Sequence, residues 1–421
     1  MRRTQDSTAR YLMAVIMMGA AACGGGQRSR SGEYGGAFAS DVQFLRQHTD
    51  IVVLGDAPGA QLVVAPEYQG RVLTSTTGGA DAPSFGWIGR DAIASGGRQP
   101  HMNVFGGEDR FWLGPEGGQF SLYFRAGDPF DLDHWQVPEA IDWGAWEIAD
   151  RSAAAVDFRK RMSLVNYSNT PLEIDVARGV RLLPVGEASG HLGDEPGSGV
   201  RMVAFESVNT VTNAGPQRWD AASGLISIWI LGMFQPSPST TVVIPFTPGP
   251  ESALGPIVND AYFGTVPPDR LAVHGSTIFF KGDGRHRSKI GLSPSRALSV
   301  AGSYDADARV LTLVQYTRPS GQARYVNSMW EIQRDPYSGD VINSYNDGPP
   351  EPGKPPLGPF YELETSSPAL SLAPGETHTH VHRTFHLVGD EAGLDRIARR
   401  TLGVSLGAIR SGLTGDQEGG K

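Results

Sequence analysis

Two glutamates close to the C-terminus, Glu362 and Glu364, have the residue type and spacing that suit proton transfer. They lie in a strand-like segment, and side chains two positions apart on a strand project to the same face. Like charges at this separation raise the proton affinity of at least one carboxylate toward the range that acid and base catalysis uses at neutral pH. The pair is therefore a candidate for chemistry, and a solvated strand face is the alternative of equal weight.

Residues of the kinds that recognise sugars are concentrated between positions 101 and 146. Aromatic faces stack on pyranose rings, and planar polar groups read the hydroxyls. A second dense polar and aromatic stretch, 330–347, contains Glu331 and Asn343. Both stretches predict a ligand site, with about half of their tryptophans expected to be ordinary core packing. The candidates in the first stretch are Arg110, Trp112, Glu116, His134 and Trp135, with His101 as a substitute proton-transfer group.

Four histidines near the C-terminus share one parity of a strand-like segment, namely His378, His380, His382 and His386. Histidines at alternate strand positions can share a metal ion, preferably zinc or copper. Metal sites normally draw ligands from several elements, and no partner motif stands elsewhere in the chain. We therefore predict no metal and no cofactor, and keep His378, His380 and His382 as the metal candidates. The alternative is an exposed or cleft-lining histidine face, with Val381, Phe385 and Leu387 facing the core.

A short basic tract over residues 281–289 contains Lys281, Arg285, His286, Arg287 and Lys289 beside Asp283. Such a tract is either a solvated loop or a surface that meets an acidic sugar. The sequence alone favours the solvated loop.

The N-terminal residues have the organisation of a lipoprotein export signal. Three arginines precede the apolar run 11–22, which is too short to cross a bilayer as a permanent helix. Small residues then lead directly to Cys23, the only cysteine of the chain, to which a diacylglycerol would be attached. We predict a signal peptide over 1–22, a lipid anchor on Cys23 and a flexible tether over 23–35. The protein would then sit in the cell envelope, at the periplasmic face of the outer membrane or at the cell surface, and an ordinary cleaved signal is the alternative.

Composition and turn spacing favour one large, mainly β domain. The formal net charge of −9 argues against nucleic acid as a partner, and the 54 glycines and 30 prolines suit tight turns between short strands. Strand-like runs include 120–124 and 225–234, and the second is apolar on both parities, as in a central strand buried on both faces. One short C-terminal helix is predicted over 391–401. We expect a monomeric domain over 36–410 and a disordered tail over 411–421.

Short motifs resemble those of the galactose mutarotase, or aldose 1-epimerase, superfamily. The order LET (363–365), SPA (367–369) and LAPGE (372–376) is similar to the C-terminal signature in which a glutamate is the catalytic base, and Glu364 is the matching position. Residues 63–72 resemble the opening hairpin of these domains. Residues 103–110, with Asn103, Glu108 and Arg110, resemble their glycine-rich active-site loop. The longer block 103–118 is similar to a group of uncharacterised bacterial proteins of that superfamily.

The resemblance implies a large antiparallel β-supersandwich with a sugar-binding cleft. It implies Glu364 as the base, Glu362 or a histidine such as His101 as its partner, and Arg110 as a group that orients hydroxyls. Mutarotases also carry a general-acid histidine, which the matching segment 209–219 lacks. We therefore predict an envelope lipoprotein that binds or acts on a sugar or glycan. The alternatives are an aldose 1-epimerase-type enzyme with Glu364 as base, and a structural or metal-binding envelope lipoprotein that binds no sugar.

Overall fold

Antiparallel sheets make up most of the regular structure in the computed structural model, which describes residues 37–78 and 82–414. All pairs between the named strands are antiparallel, so the prediction of a mainly β, antiparallel fold is confirmed. The predicted signal peptide, Cys23, the tether and residues 415–421 of the predicted tail lie outside the described residues.

The described strands, in chain order, are β1 (Val52–Leu54), β2 (Gln61–Ala65), β3 (Arg71–Thr76), β4 (Arg110–Gly114), β5 (Glu147–Arg151), β6 (Ala155–Val165), β7 (Pro171–Leu182), β8 (Val200–Asn213), β9 (Ser227–Phe234), β10 (Thr240–Pro245), β11 (Leu271–His274), β12 (Thr277–Lys281), β13 (Ser288–Leu292), β14 (Val300–Asp305), β15 (Val310–Tyr316), β16 (Ile342–Asn346), β17 (Tyr361–Ser366) and β18 (Thr377–Gly389). The described helices are α1 (Phe38–His48), α2 (Arg90–Ser95), α3 (Glu139–Asp142), α4 (Val185–Leu192), α5 (Glu251–Leu254), α6 (Glu391–Leu402) and α7 (Leu406–Ser411).

Two large sheets pack face to face. One has ten strands in the order β11-β12-β10-β14-β15-β18-β8-β7-β6-β5, and the other has five in the order β13-β16-β17-β9-β4, while β1 to β3 form a small third sheet. Leu363 of the five-stranded sheet lies in one apolar cluster with Val242, Phe280 and Val314 of the ten-stranded sheet. The main core therefore lies between these sheets, and α6 and α7 cover the opposite face of the ten-stranded sheet.

The segment 225–234 is the central strand that its apolar pattern predicted. All eight residues of β9 are buried, and β9 lies between β17 and β4 in the five-stranded sheet. The predicted C-terminal helix is confirmed as α6, in which the Asp390 side chain caps the first turn by accepting a hydrogen bond from the Gly393 backbone N–H.

Three secondary-structure predictions need correction. The run 120–124 is buried but forms turns rather than a strand, because an apolar run shows burial without fixing the backbone conformation. Helix α1 was missed because its buried face includes Asp41, an acidic residue paired with Arg90 that interrupts the apolar stripe. Residues 411–414 are ordered, since α7 ends at Ser411 and Leu413 packs against the apolar cluster beneath it. Within the described residues, no helix is long and apolar enough to span a membrane.

Candidate functional site

The outer face of the five-stranded sheet carries charged and aromatic side chains. Residues of one parity, such as Leu363, enter the core, so their neighbours Glu362 and Glu364 project to the opposite face. Cross-strand pairing places residues from distant parts of the chain beside them. One row across the sheet is Met233, Glu362, Tyr345 and Lys289, and the next row is Arg110, Leu231, Glu364 and Asn343.

A cavity of about 800 Å³ lies over this face. Its volume is in the range of small-molecule sites. The sheet contributes Arg110, Trp112, Trp229, Leu231, Met233, Lys289, Tyr345 and Glu362 to its lining. Loops contribute His101, Glu116, Trp135, Phe263, Arg287, Trp330, Asp347 and Phe360, among others.

Arg110 and Glu362 form a buried ion pair on the floor of the cavity. The Arg110 guanidinium also lies over the Trp112 ring, 4.8 Å from its centroid. Burial raises the pKa of Glu362 to about 8, against the opposing effect of Arg110 and with the help of the nearby Glu364 charge. The raised pKa means that Glu362 can take up and release a proton near neutral pH, and its charged form is the one that pairs with Arg110.

Glu364 is engaged by protein groups rather than open to the cavity. Its Oε2 accepts hydrogen bonds from Lys289 Nζ at 2.9 Å and from Trp229 Nε1 at 3.0 Å, and its side chain has no exposed surface. Lys289 lines the cavity whereas Glu364 does not. Burial alone would lower the pKa of Lys289, but the charges of Glu364 and Glu116 raise it overall, so the amine stays charged. Of the two predicted carboxylates, Glu362 is the one that a ligand can reach.

Glu116 and His101 also border the cavity, as predicted. Burial raises the pKa of the Glu116 carboxyl, which lies within electrostatic range of Lys289. His101 has a left-handed backbone (φ 65), and its Nδ1 donates to the Trp135 carbonyl oxygen at 2.7 Å. Trp135 stacks on Trp330 with ring centroids 6.0 Å apart, which gives the cavity an aromatic wall.

Five predicted ligand residues do not line the cavity. Asn103 is buried, and its amide donates to Asp142. Glu108 is fully buried and contacts Ser75 and His386, and Asn343 donates to the Tyr262 hydroxyl and to the Ile290 carbonyl. His134 and Glu331 are exposed, with His134 paired to Asp131. Sequence position alone placed these residues near the site, but their side chains have structural partners or face solvent.

The histidine face lies between the two large sheets, contrary to both sequence interpretations of it. His380, His382 and His386 are fully buried, whereas Phe385 and Leu387 pack beneath the helices on the opposite face. Thr365 Oγ1 is 3.0 Å from His380 Nε2 and 2.9 Å from His382 Nδ1. Burial lowers the pKa of His380 to about 3 and that of His382 to about 4, so both are neutral. Among the described residues, which include His378, no group of three or more His, Cys, Asp or Glu side chains is placed to hold a metal ion.

The cavity also contains residues that the sequence interpretation did not select. Trp229 and Lys289 are the two groups that hold Glu364, and Trp330 supplies part of the aromatic wall. The sequence singles out Lys289 only as part of the basic tract 281–289, for which it favours a solvated loop, and Trp330 only as the start of the stretch 330–347. Trp229 had no such signal, because a tryptophan inside a wholly apolar strand has the pattern of core packing.

A family model covers nearly all of the described chain. It is described as a family of unknown function, DUF6786, and it matches residues 36–413. The chain belongs to this family. No curated protein matches it.

Several solved structures align with most of this chain at low sequence identity. A protein from Synechocystis is 13% identical, with 81% of this chain and 96% of that chain covered and a TM-score of 0.47. A putative aldose 1-epimerase from Escherichia coli is 12% identical, with 81% and 99% covered and a TM-score of 0.45. A galactose mutarotase-like protein from Lactobacillus casei is 13% identical, with 80% and 100% covered and a TM-score of 0.44.

Proposed function

We propose that this member of the DUF6786 family binds a sugar or glycan in the cavity over the five-stranded sheet. The observation that carries the proposal is the combination of an aromatic wall with a charged, planar pair at the floor. Trp135, Trp330 and Trp112 offer faces for a pyranose ring, and Arg110 with Glu362 offers hydrogen bonds to hydroxyls. This combination of stacking and directional polar groups is what sugar recognition needs.

A glycan array followed by calorimetry tests this proposal. Trp330→Ala should weaken binding of any sugar that the wild type captures by about fivefold or more, because a stacked aromatic contributes about 1 kcal/mol beyond its buried area. Trp143→Ala is the matched control, since Trp143 packs near Phe105 and does not line the cavity. Silence of the wild type on the array would refute the proposal and favour a structural role in the envelope.

An aldose 1-epimerase-type activity is the second candidate, and the position of Glu362 favours it. A carboxyl that lines the cavity and holds its proton near neutral pH can act as a general acid toward a ring oxygen. The assay is anomeric equilibration of a panel of aldoses, with Glu362→Gln and Glu364→Gln in parallel. Catalysis by the wild type that Glu362→Gln abolishes supports this candidate, and no acceleration for any sugar removes it.

The proposed location is the cell envelope, with the domain held by a lipid on Cys23. The support is the sequence alone, in which a short apolar run and small residues lead directly to the only cysteine. Cys23→Ser should move the protein from the membrane fraction to the soluble periplasmic fraction. Identical fractionation of wild type and Cys23→Ser would contradict the anchor.

A further inference from the structure

Two residues of the basic tract 281–289 face the cavity instead of bulk solvent. Lys289 belongs to β13, and Arg287 lies two positions earlier, on the same parity, so both side chains reach the cavity lining. Arg285 does not line the cavity and is exposed. The tract therefore divides into a cavity-facing pair and a solvent-facing remainder.

Arg287 differs from the other cations of the inner cavity because its charge is unmatched. Arg110 is paired with Glu362, and Lys289 is paired with Glu364. The Arg287 guanidinium lies 3.8 Å from the centroid of the Phe263 ring. Among the described residues, no carboxylate forms an ion pair with it and no group accepts a hydrogen bond from its side chain. Stacking fixes the guanidinium plane, which leaves its N–H edge available to a ligand.

The carboxyl groups nearest to Arg287 do not cancel this charge fully. Burial raises the pKa of Glu116, which favours its neutral form, and Glu362 is engaged by Arg110. Asp347 also lines the cavity; burial raises its pKa to about 6, and it accepts hydrogen bonds from the Tyr345 hydroxyl and the Gly358 backbone N–H rather than from Arg287. Among the described residues, the Arg287 guanidinium therefore has no carboxylate partner of its own and is available to an anionic group of a ligand.

We propose that the ligand is an acidic sugar whose carboxylate, as in a uronic acid, is bound by Arg287. The planar guanidinium fork matches a carboxylate in a bidentate arrangement. The ring of the sugar would then lie toward the aromatic wall of Trp135 and Trp330. This inference rests on the proposed sugar binding and specifies its substrate class.

Calorimetry with paired sugars tests the inference. Galacturonate and galactose, or glucuronate and glucose, differ only in a carboxylate or a hydroxymethyl group at C6. The wild type should bind the uronate about tenfold more tightly or better, and raising the salt concentration should weaken uronate binding selectively. Arg287→Gln should remove the preference. Arg285→Gln, an exposed neighbour of the same type, should retain it, and Arg287→Lys should keep part of it.

The possible outcomes separate the inference from the proposed function. Equal binding of neutral and acidic sugars, or a uronate preference that Arg287→Gln leaves intact, overturns the inference while sugar binding stands. No binding of either class overturns both. The wild-type comparison of each uronate with its neutral counterpart decides the question even if a variant fails to fold, because equal affinities exclude a favourable carboxylate contact with Arg287.

Discussion

Glu364 matches the catalytic position of the mutarotase signature, yet the structure predicts that its replacement first of all destabilises the fold. The side chain has no exposed surface, and its partner Lys289 is only 6% exposed. Glu364→Gln preserves the shape, so it leaves no hole, but it removes the negative charge that compensates a buried ammonium. Breaking a buried ion pair in this way costs about 3–5 kcal/mol of unfolding free energy. We expect a loss in this range for Glu364→Gln.

The reverse change gives an independent measurement of the same pair. Lys289→Met leaves Glu364 charged and buried with only the Trp229 indole as a donor, so about 3–5 kcal/mol should again be lost. The double variant Lys289→Met, Glu364→Gln removes both charges and should lose much less than the sum of the single changes. Urea denaturation of the three variants and the wild type measures this difference through the midpoints.

An exposed ion pair of the same chain is the matched control. Arg161 and Asp175 lie 3.4 Å apart with side chains 60% and 49% exposed, so Arg161→Gln should change the unfolding free energy by less than about 1 kcal/mol. If Glu364→Gln and Lys289→Met each lower the unfolding free energy by no more than this control does, and their effects are additive, the Lys289–Glu364 ion pair does not stabilise the fold. Folded Glu364→Gln protein that loses only catalysis would restore Glu364 as a base.

Two further stability predictions concern buried groups near the site. The pKa of Glu362 is raised to about 8, so the folded state binds more protons than the unfolded chain from about pH 4.3 to pH 8. The free energy of unfolding should fall as pH rises through this window, by at most about 1.4 kcal/mol per pH unit. Denaturation at several pH values measures this slope. The slope should be smaller for Glu362→Gln and unchanged for the exposed control Glu331→Gln. Thr365→Val removes the hydroxyl that the buried His380 and His382 share, and it should lower the unfolding free energy measured by urea denaturation by about 1–3 kcal/mol. The control Thr379→Val, at an exposed strand position, should lower it by less than about 1 kcal/mol. Equal losses would contradict this interpretation.

The fold could be predicted from the sequence where one local pattern was decisive. The run 225–234 is apolar on both parities, and a central strand is the environment that such a run requires. The alternation around Glu362 and Glu364 likewise placed both side chains on one face of β17. Parity could not decide which carboxylate a ligand reaches, because that depends on Lys289, which lies 75 positions earlier in the chain.

The same limit explains why Asn103 and Glu108, two of the predicted ligand residues, do not line the cavity. Asn103 is held by Asp142, 39 positions later, and Glu108 is held by His386, 278 positions later. These contacts exist only after the sheets have paired and packed, so no local pattern could show them. His386 itself appeared to belong to a metal-binding or exposed face, because a strand pattern cannot show which of two faces a second sheet covers.

The missing mutarotase histidine therefore has a different meaning from the one that the sequence implied. Its absence from residues 209–219 favoured a protein that binds sugar without catalysis. In the structure, Asn209 lies in the ten-stranded sheet, where its side chain contacts Arg178 and Ser207, and no residue of this segment lines the cavity. A histidine at Asn209 would not reach a ligand there. The question of catalysis depends instead on the buried carboxyls that line the cavity, Glu116, Asp347 and Glu362, because burial raises the pKa of each.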